Sequence, residues 1–139
     1  VITPNLPEAE TLLGAKIVGA ADMPRAAKAL LALGPKAVLL KGGHLPGDRI
    51  TDVLVASDGG QRMFANPRIE TRHTHGTGCT LASAIATGLA QHLPLTEAVA
   101  RARDYVLEAI RNAPGLGKGH GPLDHGHTVR VFRGSAEPH

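Results

Sequence analysis

The chain has 139 residues, 42% of them hydrophobic, and its 15 basic and 12 acidic side chains leave a formal charge of +3 with histidine neutral. That length holds at most one domain with a modest core. The basic residues are scattered and the only aromatics are Phe64, Phe132 and Tyr105. This disfavours nucleic-acid binding, and the single cysteine, Cys79, excludes an internal disulfide or a multi-cysteine zinc site. No stretch approaches the roughly 18–20 apolar residues of a membrane span, and the opening residues do not read as a signal peptide. The expected setting is the cytoplasm, without nucleic-acid or membrane partners.

Val1 to Asn5 reads as the tail of a strand leaving its sheet, and a strand opening a chain without Met suggests a piece of a longer protein. Pro7 to Leu13 predicts a short helix stopped at Gly14. Asp22 is placed to cap a second helix with Pro24 in its first turn; Met23, Ala27, Leu30 and Leu31 form its apolar face before Gly34-Pro35 ends it. Ala37 to Leu40 is a continuous apolar run, the pattern of a strand buried on both faces in a parallel sheet. Asp52 to Ser57 and Gln61 to Ala65 flank Asp58-Gly59-Gly60 as a hairpin, whose polar character predicts a sheet edge. After a connection over 66–75, Gly76-Thr77-Gly78 opens a helix reaching about His92, with Leu81, Ile85 and Leu89 on its buried face. A fourth helix over 95–112 carries Val99, Ala102, Val106 and Ile110. The glycine-rich tail from Pro114 ends in an expected strand over 128–133 containing Val129, Val131 and Phe132. This order predicts an α/β domain with helices packed on a mainly parallel sheet and no internal boundary.

Three stretches carry chemistry. In Thr74-His75-Gly76-Thr77-Gly78-Cys79-Thr80 the glycines allow close backbone approach, and the first amides of the helix, at the positive end of its dipole, offer an anion hole. The same field would favour a Cys79 thiolate able to take a proton from an attacking alcohol. The alternative is a tight helix start with Cys79 as a small buried filler. Asn5-Leu6-Pro7-Glu8 sets an amide and a carboxylate on one strand–helix junction, suited to Mg²⁺ or, equally open, to a plain capping box. Lys41-Gly42-Gly43-His44 follows the buried strand, where α/β sheets bind ligands, although a surface lysine before a flexible turn reads the same. All three lie at strand ends or the helices that follow, and a phosphate site is their best common explanation.

Thr74 to Leu81 resembles the signature of the hydroxymethylpyrimidine kinases, members of the ribokinase-like class. Thr3 to Ala9, Val38 to His44 and Gly117 to Pro122 occur in matching order, so the resemblance spans about residues 1 to 127. It implies a ribokinase-like three-layer α/β/α fold with a mainly parallel sheet. This chain would be the C-terminal half of a single kinase domain whose N-terminal half is absent. It implies that Cys79 is the base where the wider class has aspartate, with Gly76, Thr77 and Gly78 as the anion hole. Lys41, Gly42, Gly43 and Thr74 would lie at the ATP phosphates and Lys118 at the nucleotide end; Asn5 and Glu8 would organise Mg²⁺ indirectly. The implied reaction is ATP-dependent phosphorylation of 4-amino-5-hydroxymethyl-2-methylpyrimidine and its monophosphate in thiamine biosynthesis, by an enzyme that is a homodimer at full length. His73 departs from the class, which commonly has Asp or Asn there for a monovalent cation. Competing readings are a pyridoxal or other vitamin kinase of the same class, an inactive nucleotide-binding remnant, and a metal module built from His120, Asp124, His125 and His127.

Overall fold

Alternation along three strands decides which side of the sheet each helix covers. In the computed structural model, which describes residues 1–129, β1 (Ala37–Lys41), β2 (Arg49–Ala56) and β3 (Gln61–Pro67) pair antiparallel in that order. Val38, Leu40, Val53 and Val55 face one core; Ala37, Leu39, Leu54 and Phe64 face the other. A period of two produces this split without any further device. On its free side β1 meets the opening residues in parallel, through bridges Ile2 to Val38 and Asn5 to Lys41. The Leu39 amide donates to the Ile2 carbonyl and the Lys41 amide to the Pro4 carbonyl, both at 2.9 Å. The parallel pairing expected of the buried strand is therefore found on that side, while the hairpin adds an antiparallel side. The hairpin is not wholly at an edge: β2 is central because Val53-Leu54-Val55 is buried, and only β3 is exposed along its outer side.

Four helices flank the sheet: α1 (Leu6–Leu13), α2 (Met23–Leu31), α3 (Thr77–Ala90) and α4 (Leu95–Arg111). The first two cover one face, with Leu6, Ala9, Met23, Ala27 and Leu30 buried. The last two cover the other through Leu81, Ile85, Val99 and Ala102, which makes three layers. No helix among the described residues is long and apolar enough to cross a membrane.

Local signals explain the helix ends. Asn5 and Glu8 form a reciprocal capping box, and Gly14 ends α1 in the left-handed region at φ 64°. Asp22 does not cap α2. It ends a 3₁₀ turn (Ala20–Asp22) with helical dihedrals, so its carboxylate is turned away from the α2 amides and accepts from Arg25 instead, at 3.0 Å. On α3 the expected Leu89 is 37% exposed, whereas Gly88 is buried. Each four-residue step overshoots a full turn by about 40°, so two steps carry Leu89 off the face that Leu81 began. Gly88 lies closer to that face and lets α4 approach: a Cβ there would stand 2.9 Å from the Ala98 Cβ. Val106 and Ile110 on α4 are only half-buried, because they border a cleft. Thr128 and Val129 lie in a turn and bend, and the rest of the strand expected over 128–133 falls outside the described residues.

Candidate active site

The second face of the sheet changes character along its strands. Its middle is apolar, with Leu39, Leu54 and Phe64, and its end near α3 is polar, with Lys41, Asp52 and Asn66. There a cleft of about 570 Å³ opens between the sheet, the N-terminus of α3 and the C-terminal half of α4. Asn5, Lys41, Gly43, Thr74, Thr77 and Gly78 all line it.

Gly76 enters α3 at φ 88°, a conformation that other residues rarely hold. The Thr77 hydroxyl donates to the Thr74 carbonyl at 2.9 Å, and the Thr80 amide closes the first helical bond to Gly76 at 2.9 Å. The Gly78 and Cys79 amides find no acceptor among the described residues, as the first turn of a helix dictates. The Lys41 ammonium reaches the same spot: Nζ lies 3.4 Å from the point where a Cβ on Gly78 would stand. Free amides, the helix dipole and one cation thus meet at a single point, an arrangement suited to phosphate oxygens.

Behind this point sits a network that the sequence motifs did not reveal. Asp52, the one buried acidic residue among those described, accepts from the Gly42 amide through Oδ1 and from Arg103 Nε through Oδ2, each at 2.9 Å. Arg103 also donates to Asn66 Oδ1 and lies 5.2 Å from the centre of the Phe64 ring. Gly42 tolerates no side chain: a Cβ would lie 2.0 Å from the Thr51 carbonyl and 3.1 Å from the Met23 methyl. Arg68 clamps the following loop by donating to the carbonyls of Gly43, Leu45 and Gly47. The available signals were a lone acid heading an otherwise apolar strand run and an arginine beside the inward Ala102 of α4. Neither has a motif, because their pairing spans 51 residues.

The remaining expected residues lie elsewhere. Cys79 is exposed, which overturns the buried-filler reading, and it opens onto a second cavity of about 690 Å³ with Thr80, Ser83, Arg101, Tyr105 and His125. Gly42 lies behind the cleft wall and Gly76 caps α3, so both act through backbone geometry. Glu8 is exposed and its Oε2 is engaged by the Asn5 amide at 2.7 Å, so the capping reading of this pair is realised. Lys118 is exposed on the glycine loop and lines neither cavity. That loop covers His73: a Cβ on Gly121 would stand 2.2 Å from its Nδ1, which is buried without a partner. Among the described residues no three His, Cys, Asp or Glu side chains converge, which removes the metal module. His120 Nδ1 instead meets the Arg72 carbonyl and His127 Nδ1 the Asp124 carbonyl.

Sheet and helix order are those of the ribokinase-like kinases. The pyridoxal kinase of Staphylococcus aureus, solved with AMP-PCP and pyridoxal, superposes with a TM-score of 0.85 at 33% identity over 94% of this chain and 49% of its own. A phosphomethylpyrimidine kinase of Clostridium difficile superposes with a TM-score of 0.62 at 43% identity, covering 78% of this chain and 42% of its own.

The family model described as phosphomethylpyrimidine kinase matches residues 1–124, and the chain belongs to that family. A hydroxymethylpyrimidine/phosphomethylpyrimidine kinase of Streptomyces coelicolor is 50% identical over 127 residues, 91% of this chain and 46% of that protein. A thiamine biosynthesis bifunctional protein of Geobacter sulfurreducens is 54% identical over 125 residues, 90% of this chain and 25% of that protein. The chain thus spans about half the length of the curated kinases it matches.

Proposed function

We propose that this chain carries the phosphate-binding and catalytic end of a cytoplasmic kinase, homodimeric at full length. It would transfer phosphate from ATP to 4-amino-5-hydroxymethyl-2-methylpyrimidine and to its monophosphate. The observation that carries this reading is the meeting of the Lys41 ammonium with the open amides of α3 at Gly78. Phosphoryl transfer needs alignment and charge neutralisation more than covalent chemistry, and this point supplies both.

The α3 turn borders two cavities, which gives donor and acceptor separate approaches. Thr77 and Gly78 border the cleft with Lys41, while Cys79 opens onto the second cavity. Consecutive residues of a helix point about 100° apart, so a donor in the first cleft and an acceptor hydroxyl on the Cys79 side approach the α3 turn from different directions. Cys79 then takes the hydroxyl proton as general base, and the Gly76 to Gly78 backbone holds the transferred oxygens. Lys41, with the Gly43 and Thr74 walls, neutralises the nucleotide phosphates; Gly42 fixes that wall from behind and Lys118 serves the nucleotide end. Mg²⁺ would supply further neutralisation of the phosphates. Its fit to Asn5 and Glu8 is through water, since the capping box engages the one side-chain oxygen of Asn5 and Oε2 of Glu8, which leaves Glu8 Oε1 for a metal-bound water.

A second reading has its own support. The S. aureus pyridoxal kinase matches this backbone with a TM-score of 0.85, whereas the C. difficile phosphomethylpyrimidine kinase reaches 0.62. The sequence identities run the other way, 33% against 43%. The deciding experiment assays phosphate transfer from MgATP to hydroxymethylpyrimidine and to pyridoxal, using the natural full-length protein and its Cys79→Ala variant. Turnover of the pyrimidine that falls about 10²–10⁴-fold in the variant is the expected result. Turnover of pyridoxal alone moves the protein to the other branch, and turnover of neither leaves an inactive remnant. Activity indifferent to Cys79 removes it as the base.

A further inference from the structure

The strand pairing sets Lys41 opposite an anion that it does not take. Lys41 and Asp52 are direct partners in the β1–β2 ladder. Partners in an antiparallel ladder share a face with Cβ atoms about 5 Å apart, and opposite charges in that position attract. Yet among the described residues Lys41 forms no ion pair with Asp52. Its ammonium stands at Gly78, and both Asp52 oxygens are engaged elsewhere, by the Gly42 amide and by Arg103 Nε at 2.9 Å each. Arg103 is held from two further directions, by Asn66 Oδ1 and by the Phe64 ring. Its side chain is only 10% exposed, so this grip is little diluted by water.

We infer that Arg103 is a positioning residue for the phosphate site: by holding Asp52 it keeps Lys41 directed at the N-terminus of α3. The planar guanidinium suits the task, because one edge can serve the carboxylate, another the amide of Asn66 and its face the ring. With Arg103 removed, the Asp52 carboxylate has lost its cation, and Lys41, its direct partner in the ladder, then turns back toward it and leaves the helix N-terminus. The consequence for nucleotide affinity rests on the kinase reading above; the side-chain arrangement does not.

The test has two readouts in the natural full-length protein. One is the rate at which acetic anhydride acetylates the Lys41 amine, followed by mass spectrometry; the other is the KM for MgATP against kcat. In Arg103→Gln, capture of Lys41 slows its acetylation by about fivefold and raises the KM by a similar factor, the range of a partly exposed ion pair. In Arg103→Gln with Asp52→Asn the competing charge is gone and both values return toward wild type. Unchanged Lys41 reactivity in Arg103→Gln, or a loss that persists in the double variant, overturns the inference. Should Arg103→Gln not fold, Asp52→Asn alone decides: Lys41 acetylation stays at the wild-type rate, and a rise shows that Asp52 already holds the lysine and overturns it. Should the wild type bind no MgATP, the kinase reading falls while the acetylation rates still judge the role of Arg103.

Discussion

The two faces of the sheet are built from the same strands and do different work. The face under α1 and α2 is apolar where the helices cover it, with Met23, Leu30, Val38, Leu40 and Val53 fully buried. The face under α3 and α4 is apolar only at its middle and gives way to Lys41, Asp52, Asn66 and Arg103 beside the cleft. One residue's shift along a strand exchanges the two, since neighbours point to opposite sides. The comparison teaches that a core and a polar cleft can be separated within five consecutive residues: Val38 and Leu40 anchor the core, and Lys41 lines the cleft.

Substitutions can break this division. Leu30→Ala, deep in the apolar face, is expected to lower unfolding free energy by about 2–5 kcal/mol in denaturant titrations. The KM for MgATP should stay unchanged in the folded fraction; a raised KM would mean the faces are coupled. Gly42→Ala sits between them, with the Thr51 carbonyl and Met23 on one side and the Asp52 hydrogen bond on the other. It should cost about 1–3 kcal/mol and, unlike Leu30→Ala, also weaken nucleotide binding. The smallest effect lies outside both faces. Glu10 accepts from the Ile17 amide at 2.9 Å and from Lys16 at 2.7 Å, and these bonds hold its carboxyl below its ordinary pKa, the Ile17 amide contributing most. A lowered carboxyl pKa stabilises the fold above its unfolded value and loses that contribution as pH falls through the folded one. Glu10→Gln should therefore be slightly less stable than wild type at neutral pH, with the difference vanishing in acid.

Local signals carried much of the fold. Pro7, the Asn5–Glu8 spacing and Gly14 mark α1 because caps and stops act over three or four residues. The run Ala37 to Leu40 announced a strand covered on both sides, and Gly76-Thr77-Gly78 announced the open helix end that the cleft is built on. The mistakes came where a local rule met a neighbour. Asp22 looked like a cap until the 3₁₀ turn used its dihedrals, Leu89 gave its place to Gly88, and the hairpin became central through β2.

By itself the amino-acid sequence determined the element order, the glycine-flanked helix start at residues 76–79 and the family signature, since these depend on residues close together in the chain. Only the tertiary structure decided that Lys41 points at Gly78 rather than at Asp52, that Arg103 takes the carboxylate from 51 residues away, and that Cys79 opens onto a different cavity from the one Thr77 and Gly78 line. Charges choose partners by distance in space, and no spacing along the chain encodes that distance.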